Sequence, residues 1–144
     1  MNKPSPRTRF SPQEAALAVL CMAQKLTGCE KAALHAFVDR HGAFSDMTEP
    51  ARNGALAVSR DIFEAPEGFD TLLEIVADSL SGAQSATVYM LCADFIAQNG
   101  KVSPEEMRLL ERLGEALAID RLSRAAFDRA AQARAASLIG DGDD

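Results

Sequence analysis

The side chains best placed to do chemistry in this chain are acids. Glu30, Asp94, Glu105 and Glu106 stand at or near the ends of apolar segments, and such an oxygen-rich set is what a hard cation requires. The same positions have a structural use. Glutamate at the third position of a helix closes a capping box, and acids near a helix N-terminus are favoured by its dipole by about 0.3–1 kcal/mol. Asp94 differs from the other three, because it interrupts an otherwise apolar stretch five residues before Asn99. An acid there has to lie at the surface edge of its helix or find a partner, since an unpaired buried carboxylate is costly.

Other site chemistries are poorly supplied. No GxSxG elbow, phosphate loop or HExxH occurs, and His35 and His41 have no cysteine or acid at zinc spacing; both are expected on an exposed helix face. Cys21, Cys29 and Cys92 are odd in number, form no CxxC pair and lie in or beside apolar runs, which suits reduced, buried thiols. The expectation is a protein that is not an enzyme.

The elements that position these acids read as helices. A chain of 144 residues, 47% apolar but only 6% aromatic and lacking Trp, has a core of Ala, Leu, Val and Met, which suits an all-α single domain of about seven helices. Its residues 1–10 and 140–144 are expected to be flexible ends. A phrase occurs twice, as Lys25-Leu26-Thr27-Gly28-Cys29-Glu30 and as Lys101-Val102-Ser103-Pro104-Glu105-Glu106, and the offset is constant at 76 residues (101 − 25 and 106 − 30). The repetition suggests two related halves.

Ser11, Pro12 and Glu14 open a first helix whose run Ala15–Ala23 is apolar on all sides, as expected of a helix through the centre of a domain. Thr27 with Glu30 is expected to open the second by the same device, with Leu34, Phe37 and Val38 inward and a stop at His41-Gly42; a loop then runs from Ala43 to Glu49. A third helix, about 50–63, breaks at Ala65-Pro66-Glu67-Gly68, and a fourth, about 69–80, carries Phe69, Leu72, Leu73, Val76 and Leu80 on one face. Ser81 and Gln84 cap a fifth, the counterpart of the first, which ends at Asn99-Gly100. Ser103-Pro104-Glu105-Glu106 begins a sixth bearing Met107, Leu110, Leu113 and Leu117, and Asp120 caps a seventh containing Leu122, Ala126, Ala130 and Ala133.

Charge narrows the partners. Of the net −6, residues 41–100 carry two Lys/Arg against nine acids, which argues against phosphate backbones and so against nucleic acid. Arg121, Arg124, Arg129 and Arg134 recur along the last segment, but Asp120 and Asp128 interrupt them, as on a solvated face. The longest apolar run, nine residues, is far short of the ~20 needed to cross a bilayer, and Ser11-Pro12-Gln13-Glu14 follows the basic start where a secretory signal would have its apolar core. A cytoplasmic address without membrane contact is expected.

The second half resembles a known family. The run Cys92-Ala93-Asp94-Phe95-Ile96-Ala97-Gln98-Asn99-Gly100-Lys101-Val102-Ser103-Pro104-Glu105-Glu106, followed by Leu109-Leu110 and Leu117-Ala118-Ile119-Asp120, is similar to the tellurite-resistance TerB family, whose hallmark has Asp-Gly, then Val or Ile, Ser and a Glu, once in each half. The resemblance implies a bacterial, cytoplasmic, all-helical domain with pseudo-twofold halves, associated with stress and tellurite resistance, and an acidic cluster that binds divalent metal. Asp94, Glu106, Glu30 and Asn99 are then the metal candidates. The family aspartate falls on Asn99 and, in the first copy, on Ala23, which leaves a weak divalent site and no other cofactor. Two functions follow as expectations: a scaffold that binds an unidentified protein through the acids Asp61, Glu64, Glu67, Asp70, Glu74 and Asp78, or a divalent-metal-binding tellurite-response protein.

Overall fold

A computed structural model describes residues 9–98 and 102–136 of the chain. Among these residues there are seven α-helices and no strand: α1 (Pro12–Thr27), α2 (Lys31–Arg40), α3 (Glu49–Glu64), α4 (Gly68–Asp78), α5 (Gly82–Ala97), α6 (Pro104–Ala116) and α7 (Arg121–Ala135). No helix among them is long and apolar enough to cross a membrane. The expected flexible ends fall almost wholly outside the described residues; Phe10 is an exception, packing on the core and donating its N–H to Ser79 Oγ at 3.1 Å.

The helices begin where local hydrogen bonding says they should. Ser11/Glu14, Ser81/Gln84 and Ser103/Glu106 are reciprocal capping boxes, and the Thr48 and Asp120 side chains accept from the third residue after each. Ser103→Ala should therefore lower stability by about 1 kcal/mol, read as a drop in the urea midpoint. An unchanged midpoint would show that this cap contributes nothing.

α1 is the centre. Ala15 to Gln24 are all buried, and the helix packs against α2, α3, α4, α5 and α6. α5 lies beside it, with Val88, Leu91, Cys92, Phe95 and Ile96 buried, and in turn carries α6 and α7. Leu34, Phe37 and Val38 of α2 and Leu72, Leu73 and Val76 of α4 close the core as their spacing predicts.

Three expectations are corrected. The second helix is not opened by Thr27: α1 runs on to Thr27, Gly28 ends it in the left-handed conformation (φ 73°), and Glu30 becomes the N-cap of α2 without a side-chain cap bond. The two repeated phrases thus differ in role, Glu30 standing at the N-cap and Glu106 at the third helical position, and the two central helices start 82 − 12 = 70 residues apart, whereas the phrases are 76 apart. The loop after α2 contains a short 3-10 helix, Gly42–Phe44, whose Phe44 is fully buried. Finally, the face of α7 expected to be solvated lies partly inward. Leu122 is 81% exposed, Ala126 and Ala133 face solvent, and Ala131 is buried with Arg124, Phe127 and Asp128 half-buried beside it. On α6, Met107 is 61% exposed. The expected stop of α5 at Asn99-Gly100 lies outside the described residues; its C-cap is Gln98.

Candidate functional site

The acids singled out by sequence are occupied by structural duties. Asp94, on the edge of α5, receives Nε and Nη2 of Arg134 from α7 at 3.0 and 2.7 Å, a forked charge-assisted contact that ties the two helices together. Glu106, only 3% exposed, accepts the Ser103 N–H at 2.7 Å while its own N–H goes to Ser103 Oγ. Glu30 is exposed at the start of α2, and Asn99 lies outside the described residues. Among the described residues, no group of three or more His, Cys, Asp and Glu side chains is arranged to hold a metal ion.

The histidines divide: His35 is exposed, but His41 is half-buried, its Nδ1 accepts the Ala43 N–H, and its ring lies against Phe37 and Phe44. Cys21 and Cys92 are buried free thiols, and Cys29 is half-buried. Burial pushes the Cys92 thiol well above its ordinary range, with the Asp128 and Glu106 charges adding to the effect, so it is held as an inert, protonated core group.

Two surface features remain. The first is the α3–α4 hairpin, where Asp61, Glu64, Glu67, Asp70, Glu74 and Asp78 are all exposed. Lys25 pairs with Glu64 and Arg112 with Asp70, the latter guanidinium also lying 5.0 Å from the centre of the Phe69 ring. Asp61, Glu67, Glu74 and Asp78 make no ion pair among the described residues. Their placement opposes helix electrostatics: Glu74 and Asp78 are like charges at i, i+4, and Asp78 is the final residue of α4, where the dipole favours a cation.

No family model, curated protein or solved structure matches this chain. Its chemistry is therefore carried by its own geometry, and the second surface feature is the more structured of the two.

This is a cleft of about 430 Å³ between α5, α6 and α7, walled by Val102, Met107 and Leu110 on one side and by Arg121, Arg124 and Asp128 on the other. It adjoins a recess of about 10 Å³, room for a single water, over Ala93, Ile96 and Ala97 of α5. On the cleft wall Tyr89 Oη donates to Asp128 Oδ1 at 2.8 Å, and the Tyr89 ring packs on Phe127. Burial, then the Asp128 carboxylate, raises the Tyr89 hydroxyl far above the usual phenol range, so it stays a donor at every working pH.

Asp128 and Arg124, expected on a solvated face, are half-buried. The signal that identifies them is the spacing 124, 127/128, 131, which marks the inner stripe of α7 once Phe127 is taken as its anchor.

Burial also raises the Asp128 carboxyl, against the lowering effects of the Tyr89 hydrogen bond and Arg124. The folded state thus holds this proton more tightly than the unfolded chain does. The stability it contributes is fully present below the ordinary aspartate range and is lost as pH rises through the folded value. Asp128→Asn, which keeps an acceptor for Tyr89, should therefore gain stability relative to the parent between pH 4 and pH 7. Urea midpoints at the two ends of that range check it, and a gap that narrows toward neutral pH would contradict it.

Proposed function

We propose that this chain is a TerB-like, non-enzymatic interaction module with two pseudo-repeated halves, of the stress and tellurite-resistance kind its second half resembles. It acts by docking a basic partner protein on the α3–α4 face and not by holding a metal. One observation carries the reading. The acids a cation site would have to share are spent, Asp94 on Arg134 and Glu106 on its capping box, whereas Asp61, Glu67, Glu74 and Asp78 are exposed and make no ion pair among the described residues. Like charges at i, i+4 and an acid at a helix C-terminus each cost a few tenths of a kcal/mol, so the fold does not explain Glu74 and Asp78. A partner with complementary charge does.

The two central helices support the two-halves reading, since α1 and α5 are both 16 residues long, both capped by a Ser-based box and both the most buried elements of their half. The test has two arms. The variant Asp61→Lys/Glu74→Lys/Asp78→Lys should keep its helical content and lose its bound partner in co-purification from the source cell, with the loss mimicked in the parent by raising salt. Calorimetry with CaCl2, MgCl2 and ZnCl2 should give nothing tighter than about millimolar, the weak end for oxygen-ligand sites. A micromolar constant abolished by Asp94→Ala or Glu106→Ala would instead establish the metal-binding alternative.

A further inference from the structure

We propose that the cleft between α5, α6 and α7 is a binding site for a small amphipathic carboxylate, its apolar body on Val102, Met107 and Leu110 and its anionic head between Arg121 and Arg124. The volume, about 430 Å³, falls in the range of small-molecule pockets, and the lining has their usual composition of apolar wall with a few convergent polar groups. The site stands apart from the acidic α3–α4 face.

Arg121 and Arg124 lie three residues apart on α7 and so on one side of the helix, within reach of a single anion. Arg121 makes no ion pair among the described residues. Arg124 is fixed in place. Its Nη1 donates to the Glu111 carbonyl at 3.2 Å, and its stem lies on α6 where Gly114 offers no side chain; a β-carbon there would overlap Arg124 Cδ. The Nε of Arg124 is buried with no hydrogen-bond partner among the described residues, and the residue lines the cleft.

The charge balance selects the head group. Glu111 and Asp128 also line the cleft, so a doubly charged phosphate would meet repulsion from two sides, whereas a single carboxylate matches the fork of one guanidinium with the second as support. Asp128 is already engaged by the Tyr89 hydroxyl and half-buried, and it makes no ion pair with either arginine among the described residues. The apolar half of the argument is Met107, 61% exposed on the cleft wall, a side chain whose surface an aliphatic or aromatic body would cover.

The probe is octanoate, titrated into the full chain and followed by amide chemical-shift changes, with octanol, octylammonium and inorganic phosphate as comparison ligands. The expected result is saturable shifts confined to Tyr89 and its α5 neighbours and to residues 102–114 and 121–132, with each comparison ligand at least ~10-fold weaker, because the charge-assisted pair and the apolar contact are both required. Arg121→Gln, a change at an exposed position, should weaken octanoate about fivefold or more, and Gly114→Ala, which displaces Arg124 without altering charge, should do the same. Octanol binding as tightly as octanoate, shifts centred elsewhere, no saturation, or full affinity in both variants would each overturn the proposal.

Discussion

Replacing Gly68 with alanine is expected to cost about 3 kcal/mol, the upper part of the range for overpacking a rigid site. Gly68 opens α4 immediately after Glu67, which turns the chain with a left-handed φ of 57°, and its N–H is bound to the Ala65 carbonyl at 2.9 Å. A β-carbon at this point would overlap the carbonyl oxygens of Ile62 and Phe63, the last turn of α3. Backbone cannot rotate aside as a side chain can, so α3 and α4 would have to separate, and their mutual packing is among the most extensive in the molecule. Gly54→Ala provides the contrast. It sits in the exposed middle of α3 with nothing near its would-be β-carbon, and alanine there should stabilise by about 0.8 kcal/mol through helix propensity alone. Urea midpoints for the pair should move in opposite directions. A neutral Gly68→Ala would mean that the α3–α4 turn is looser than described.

Truncating Phe44 to alanine should cost about 3–5 kcal/mol, the usual range for a buried aromatic. This residue lies in a connection between helices, where substitutions are ordinarily within ±0.5 kcal/mol, yet it is fully buried and meets the His41 ring edge-on at a centroid distance of 6.3 Å. The 3-10 helix Gly42–Phe44 exists to deliver it: its turn is closed by Phe44 N–H to the His41 carbonyl and started by the His41 ring nitrogen accepting from Ala43. Ser45→Ala, one residue on and exposed, is the matched control and should leave the midpoint where it is.

Phe44 also illustrates what the amino-acid order reveals and what it conceals. Caps were readable because they are closed within three residues, so Ser11-Glu14, Ser81-Gln84 and Ser103-Glu106 carry their whole geometry in their spacing. The central position of α1 and α5 was readable because apolar residues on every side leave no face for water. Phe44 was not, because an isolated aromatic in a polar connection has no periodicity to betray its burial. The inner face of α7 was not readable for a related reason: its inner stripe contains Arg124 and Asp128, polar groups made tolerable by the Glu111 carbonyl and the Tyr89 hydroxyl, partners 13 and 39 residues away.

The candidate site followed the same division. Asp94 was recognisable as an acid that needed a partner, but nothing local named Arg134, 40 residues further on. Glu30 was expected to act as Glu106 does, and the extra residues that α1 spends in running on to Thr27 moved it from inside the first turn to the N-cap. The cleft escaped notice altogether, being assembled from three helices whose polar residues looked, one at a time, like ordinary surface.

The position of α1 has a consequence for how this protein is made. α1 leaves the ribosome before α2 to α6, the helices that surround it, so its apolar surface has no complete shelter until α6 has been synthesised. At about 5–20 residues per second, the interval between emergence of Ala23 and of Leu113 is several seconds or more, during which nine consecutive apolar residues depend on local helix formation and on whatever chaperone meets them. Acquisition of the native state therefore waits for α6, and protease protection on arrested nascent chains should appear abruptly once α6 has cleared the exit tunnel instead of growing helix by helix.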